Sequence, residues 1–241
     1  MILFPAIDIK NGECVRLKLG DLDDSKTYNK DPLSQAKLFE EYGFEWVHIV
    51  DLNAAVTGDS LNGEIIKTIV KNTRLKVQLG GGIKTLEQIN YWFSIGVQNL
   101  VLGTISVNDI DFVKQTIKKF PNKIVLALDT KNELICIDGW KTTTDINVFD
   151  LVQEYNEYEV NAILHTDINR DGMLQGLNFE ASRKLAHATR IPLILSGGLT
   201  SIDEIRDLNQ PENILFKGAI MGKALYEKKI DPREALDILN R

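Results

Sequence analysis

The chain has 241 residues, 44% of them hydrophobic and 26% charged, and its 28 Lys and Arg against 34 Asp and Glu give a net charge of −6. That length supports a sizeable hydrophobic core in one domain, and the interspersed charges exclude the basic face of a nucleic-acid binder. Cys14 and Cys136 stand far apart with no CxxC pair, which speaks against a zinc site and for a reduced, cytoplasmic setting; the N-terminus lacks the features of a signal peptide, and no apolar run approaches the roughly 18 residues that span a bilayer, so a membrane role has no support.

Taken in chain order, short apolar runs alternate with segments of helical spacing. The first run, Ile2 to Ile7, ends on Asp8. A helix over Pro32 to Tyr42 leads to a second run, Trp46 to Val50, which ends on Asp51. The third, Leu75 to Leu79, opens into Gly80-Gly81-Gly82 and a helix over Thr85 to Phe93; the fourth, Asn99 to Leu102, opens into Gly103-Thr104 and a helix over Asp109 to Phe120. The fifth run, Lys123 to Leu128, ends on Asp129, and the sixth, Ala162 to Thr166, ends on Asp167 before a helix over Phe179 to Ala188. The seventh, Ile191 to Leu195, leads into Ser196-Gly197-Gly198 and a helix over Ser201 to Leu208, and the eighth, Ile214 to Ile220, into Gly222-Lys223.

The chain also repeats itself. Val50-Asp51-Leu52-Asn53 matches Thr166-Asp167-Ile168-Asn169, and the ten residues from Gly80 match the ten from Ser196, both 116 positions apart. Ala6-Ile7-Asp8 pairs with Ala127-Leu128-Asp129, and Leu102-Gly103-Thr104 with Met221-Gly222-Lys223. Eight strands in two similar halves, about 1–120 and 121–241, predict a closed (β/α)8 TIM barrel with a two-fold half-barrel repeat rather than an open doubly wound sheet. The absence of GxGxxG after the first strand further opposes a dinucleotide-binding sheet.

Barrel enzymes react at the C-terminal ends of their strands, where this sequence places aspartates and glycines. One strand-end aspartate reads as a helix cap or loop hydrogen-bonder, but four (Asp8, Asp51, Asp129 and Asp167) on one rim point to chemistry. Strands one and five lie opposite each other, so Asp8 and Asp129 are expected to face across the mouth as base and acid. The glycine turns let backbone N–H groups approach an anion, and two symmetry-related pairs of them imply two phosphates at the ends of a long ligand. Arg16 is expected to pair with a phosphate or guide the substrate. His48 and His187 read as structural, and His165 as facing either the core or the site.

These residues resemble the ProFAR isomerase family of histidine biosynthesis, the phosphoribosylformimino-aminoimidazole carboxamide ribotide isomerases. The resemblance runs through Pro5-Ala6-Ile7-Asp8, Val15-Arg16-Leu17, Val50-Asp51-Leu52, Gly80-Gly81-Gly82-Ile83, Gly103-Thr104, Gly139-Trp140, His165-Thr166-Asp167-Ile168, Arg170-Asp171-Gly172, Ser196-Gly197-Gly198 and Gly222-Lys223-Ala224-Leu225-Tyr226. It implies an Amadori rearrangement of an aminoaldose to an aminoketose in a monomer that needs no metal, cofactor or obligatory partner. It also implies Asp8 as general base, Asp129 as general acid, and Thr166 and Asp171 as substrate-orienting residues, with Asp171 an alternative acid. Trp140, on the long loop after strand five, would stack on the substrate or anchor that loop. Gly81, Gly82, Gly103 and Thr104 would hold one phosphate, and Gly172, Gly197, Gly198, Gly222 and Lys223 the other. The cyclase subunit of imidazole glycerol phosphate synthase is similar too, but lysine is usual there at the position of Arg16; a cyclase or lyase, or a barrel that only binds a phosphorylated ligand, are the competing readings. Asn53-Ala54-Ala55, Lys84 and Leu177 depart from the family pattern in loop detail.

Overall fold

Strict alternation along the first strand decides which of its side chains enter the barrel. In the computed structural model, which describes residues 1–18, 20–58 and 60–239, Phe4 and Ala6 belong to an inner cluster with Val101, Val125, Ala162, Leu164, Ile194 and Ile220. Leu3, Ile7 and Ile9 belong instead to the larger cluster between strands and helices. Two apolar layers therefore share every strand, because successive side chains point to opposite faces.

The strands are β1 (Ile2–Lys10), β2 (Glu13–Lys18), β3 (Asp21–Asn29), β4 (Trp46–Asp51), β5 (Lys76–Gly80), β6 (Asn99–Leu102), β7 (Ile124–Lys131), β8 (Leu134–Ile137), β9 (Thr142–Asn147), β10 (Ala162–Asp167), β11 (Leu193–Ser196) and β12 (Phe216–Met221). Eight of them, β1, β4, β5, β6, β7, β10, β11 and β12, are parallel and close on themselves through the β10–β7 pairing. This is a (β/α)8 barrel. Helices Pro32–Tyr42 and Phe179–Ala188 occupy the bounds read from the sequence, and most other elements shift by a residue or two.

The other four strands form two antiparallel hairpins, one after β1 and one after β7, where the sequence reads only as loop. Thus Trp140 lies in a hairpin rather than in a plain long loop. The hairpins escape the sequence reading because segments such as Asp-Leu-Asp-Asp-Ser-Lys-Thr-Tyr-Asn stand at the solvent rim and carry no apolar alternation. Because β1 and β7 are opposite in the ring, the hairpins rise from opposite sides of the mouth and meet over it: a Cβ added to Gly20 would overlap the Trp140 indole at 2.4 Å. Among the described residues no helix is long and apolar enough to cross a membrane.

Candidate active site

The inward parity that buries Phe4 and Ala6 carries on to Asp8, and that of Val125 and Ala127 carries on to Asp129. Both open into a cavity of about 340 Å³ at the C-terminal ends of the strands. Every residue to which the family resemblance gives a role lines it: Asp8, Arg16, Gly81, Gly82, Gly103, Thr104, Asp129, Trp140, Thr166, Asp171, Gly172, Gly197, Gly198, Gly222 and Lys223. The sequence reading gave Cys136 no place at the site and took His48 as structural, although parity with Trp46 and Val50 would have turned His48 inward. Lys84, first read as a loop variation, lines the cavity on the Gly81 side.

The hairpins repeat a local geometry and then break it. Val15 of β2 pairs with Asp8, and Cys136 of β8 pairs with Asp129. The next residue is Arg16 in one half and Ile137 in the other, and both line the cavity. One carboxylate therefore faces a cation and its counterpart does not. Arg16 Nη1 donates to Asp8 Oδ2 at 2.7 Å, Nη2 donates to the Ala6 carbonyl at 2.5 Å, and the guanidinium lies 5.1 Å from the centroid of the Tyr226 ring. Burial pushes the Asp8 carboxyl up, and the charge and hydrogen bond of Arg16 oppose that rise. Arg16, expected to pair with a phosphate or guide the substrate, pairs here with Asp8.

Across the mouth, burial also raises Asp129, opposed only by neutral donors: the Thr166 hydroxyl and the Trp140 indole, whose Nε1 lies 2.8 Å from Asp129 Oδ2. Trp140 is presented by three successive left-handed residues, Asp138, Gly139 and Trp140. Asp171 is pushed up to about 6, mainly by burial and then by the negative charge of Asp8, with Asp129 adding to the effect. Lys223 Nζ donates to the Gly172 carbonyl at 3.0 Å, which ties the loop carrying Asp171 to the turn after β12.

Two of the four rim aspartates belong to the scaffold. Asp51 and Asp167 follow inward-facing residues and so turn outward. Asp51 accepts from Ala54 N, Ser60 Oγ and Asn62 Nδ2, and Asp167 from Asn169 N and Asn178 Nδ2. The histidines divide similarly. His48 hydrogen-bonds to Gln78 and lines the cavity, with burial holding its pKa down at about 3, whereas His165 bonds Thr130 and Ser182 outside the barrel and His187 is exposed. Among the described residues no cluster of three or more His, Cys, Asp or Glu is arranged to hold a metal ion.

The turns on both sides end in short helices, Ile105–Asn108 and Lys223–Tyr226, neither with a side-chain cap hydrogen bond. In each first turn one N–H is taken by the preceding glycine carbonyl, Ser106 N by Gly103 at 2.7 Å and Leu225 N by Gly222 at 3.1 Å, and no side chain competes for the helix start, where an anion can bind. The paired glycines have a reason besides a ligand. At φ +108°, a Cβ on Gly81 would lie 2.3 Å from the Asp51 carbonyl oxygen, and at φ +101° one on Gly198 would lie 2.4 Å from that of Gly176.

Compared with known proteins, residues 2–231 match the family described as "Histidine biosynthesis protein". The chain belongs to that family. Its relatives include a protein of Rhizobium meliloti (strain 1021), 47% identical over 99% of this chain and 97% of the relative. Another, from Chelativorans sp. (strain BNC1), is 48% identical over 100% of this chain and 99% of the relative. Both are named 1-(5-phosphoribosyl)-5-((5-phosphoribosylamino)methylideneamino) imidazole-4-carboxamide isomerase. In this histidine biosynthesis protein, then, the family extends over the whole barrel, both hairpins and both glycine-turn pairs.

Proposed function

We propose that the chain catalyses the isomerisation named for these relatives, converting the aminoaldose ProFAR to its aminoketose by an Amadori rearrangement. The observation that carries this reading is the pairing of unlike carboxylates. Asp8 sits against Arg16 on one side of the mouth, and among the described residues Asp129 and Asp171 have no such ion pair, with the two glycine-turn pairs beside them. Such a rearrangement needs a base and an acid held in different protonation states at one substrate.

The substrate's two phosphates bind at the ends of the mouth. Gly81, Gly82, Gly103 and Thr104 take one, with the Lys84 cation, and Gly172, Gly197, Gly198, Gly222 and Lys223 take the other. Protonation of the ring oxygen by Asp129 opens the ribose and leaves a carbon–nitrogen double bond at carbon 1. Asp8, kept ionised by Arg16, then removes the proton from carbon 2, and the electrons pass into a carbon 1–carbon 2 enol. Return of a proton to carbon 1, with loss of the hydroxyl proton at oxygen 2, gives the ketose. Thr166 orients Asp129, and Trp140 covers the reacting carbons. A second reading gives the acid role to Asp171, because burial first, and then the charges of Asp8 and Asp129, push its carboxyl up to about 6. Loss of turnover in Asp129→Asn with only a partial loss in Asp171→Asn, the loss expected of a substrate-orienting group, supports the first reading, and the opposite pair supports the second. The buried free thiols Cys14 and Cys136 suit a reducing, cytoplasmic setting, in which we place the protein as a monomer.

Incubating purified protein with ProFAR and following the imidazole absorbance tests the reaction class. Conversion without ammonia or a second subunit is the expected result. A requirement for ammonia would identify a cyclase, and binding without conversion would leave only a binding barrel.

A further inference from the structure

The two half-barrels use the same device after their third and seventh strands, but with one hydrogen bond reversed. Thr85 and Ser201, 116 positions apart, each open a helix through a reciprocal capping box whose third helical residue is Gln88 in one half and Glu204 in the other. Each of these side chains also reaches the loop of the preceding unit. Gln88 Oε1 accepts from Lys84 N at 2.8 Å and Thr85 N at 3.1 Å, while its Nε2 donates to the Gly58 carbonyl at 3.4 Å. Glu204 Oε2 accepts from Thr200 N at 2.8 Å, Thr200 Oγ1 at 2.6 Å and Ser201 N at 3.2 Å, while its Oε1 accepts from Leu177 N at 2.5 Å. The far partner is a carbonyl in the first half and an N–H in the second. An amide suits the first, and only a carboxylate, which accepts at both oxygens, suits the second.

Leu177 N belongs to the loop after β10, which carries Asp171 and Gly172 into the cavity. The returning limb of that loop is held at residues 176–178: Gly176 N donates to the Gly198 carbonyl at 3.0 Å, Arg170 Nη1 donates to the Gly176 and Leu177 carbonyls at 3.3 and 3.4 Å, Asn178 Nδ2 donates to Asp167 Oδ2 at 2.7 Å, the Leu177 side chain is buried, and the Leu177 N–H is taken by Glu204. We infer that Glu204 is a positioning residue, holding the Asp171 loop over the substrate in addition to capping its own helix. The inference rests on the proposed reading of Asp171 and Gly172 as substrate contacts. It accounts for glutamine at position 88 against glutamate at position 204, although the two halves are alike in capping.

Glu204→Gln separates the two roles, since glutamine serves the same capping position at residue 88 but would turn an N–H toward the Leu177 N–H. The expected result is a fall in kcat of about 10-fold to 100-fold, the scale of a loss of alignment, with a smaller change in KM and a nearly unchanged melting temperature. Amide hydrogen exchange should quicken at residues 171–177 and stay slow in the helix Ile202–Leu208. Unchanged kcat in Glu204→Gln, alongside an impaired Asp171→Asn, overturns the positioning role and spares the reading of the site. Full activity in Asp171→Asn overturns that reading and this inference with it. If Glu204→Gln melts early, equal exchange rates in the loop and the helix of the folded variant at low temperature likewise overturn the inference.

Discussion

Moving a proton off one carbon and onto its neighbour requires carboxyl groups that differ in charge although their positions are related by a repeat. Arg16 against Ile137 supplies that difference. Removing the cation in Arg16→Met leaves burial unopposed at Asp8, so its carboxyl rises further and stays protonated to higher pH. Activity near pH 7 is expected to fall, and the acidic limb of the kcat/KM profile to move to higher pH; a limb left in place would remove Arg16 from control of the base. Asp171 allows a stability test with a definite sign. Its folded pKa of about 6 lies above the ordinary 3.8, so its contribution is fully present below about pH 4 and is lost as pH rises through 6. Asp171→Asn should therefore be more stable than the parent at pH 7.5, by on the order of 2 kcal/mol, with the gap closing near pH 4. Urea unfolding at both pH values checks this, and equal stability at pH 7.5 would show that Asp171 is not held in a protonating environment.

At the scale of elements, strand alternation separates what the sequence disclosed from what it hid. The aspartates at the strand ends were legible, but a strand end alone does not say which face a side chain takes. Only counting in twos from Phe4, Trp46, Val125 and Ala162 sends Asp8 and Asp129 inward and Asp51 and Asp167 outward. Glycine turns were legible as well, yet one of their physical causes lies in the neighbouring turn, which no local pattern reports. This alters how the phosphate sites can be probed. Gly81→Ala would combine a left-handed φ with a clash against the Asp51 carbonyl, so it is expected to lower the melting temperature and to say little about phosphate. Gly103 has room, with an added Cβ 3.9 Å from Ala127 Cβ. Gly103→Ala should keep its melting temperature and raise KM several-fold by holding the phosphate away from the backbone. An unaltered KM would take that turn out of the phosphate site.

For the whole molecule, the 116-residue repeat announced both the closure of the barrel and the paired turns, because a ring of eight strands returns each feature to the opposite side. The hairpins remained invisible, since each buries only a short apolar stretch, Cys14 and Val15 in one and Ile135 and Cys136 in the other, while the outer strands Asp21–Asn29 and Thr142–Asn147 are polar. A substrate held at both ends should leave its mark even without its sugar: crystals soaked in sulfate are expected to show anions at the turns after β5 and β6 and at those after β11 and β12. An anion at the second place alone would leave a ligand with one phosphate. The most direct test of the account is Asp8→Asn, measured for binding and for turnover on the same preparation with ProFAR. The amide keeps the size of the carboxyl and still offers Arg16 an oxygen, so the dissociation constant should stay within a few-fold of the parent's, while kcat falls by at least about 100-fold, the usual contribution of a general base. A variant that keeps more than about a tenth of the parental rate would contradict the assignment of Asp8 as the base.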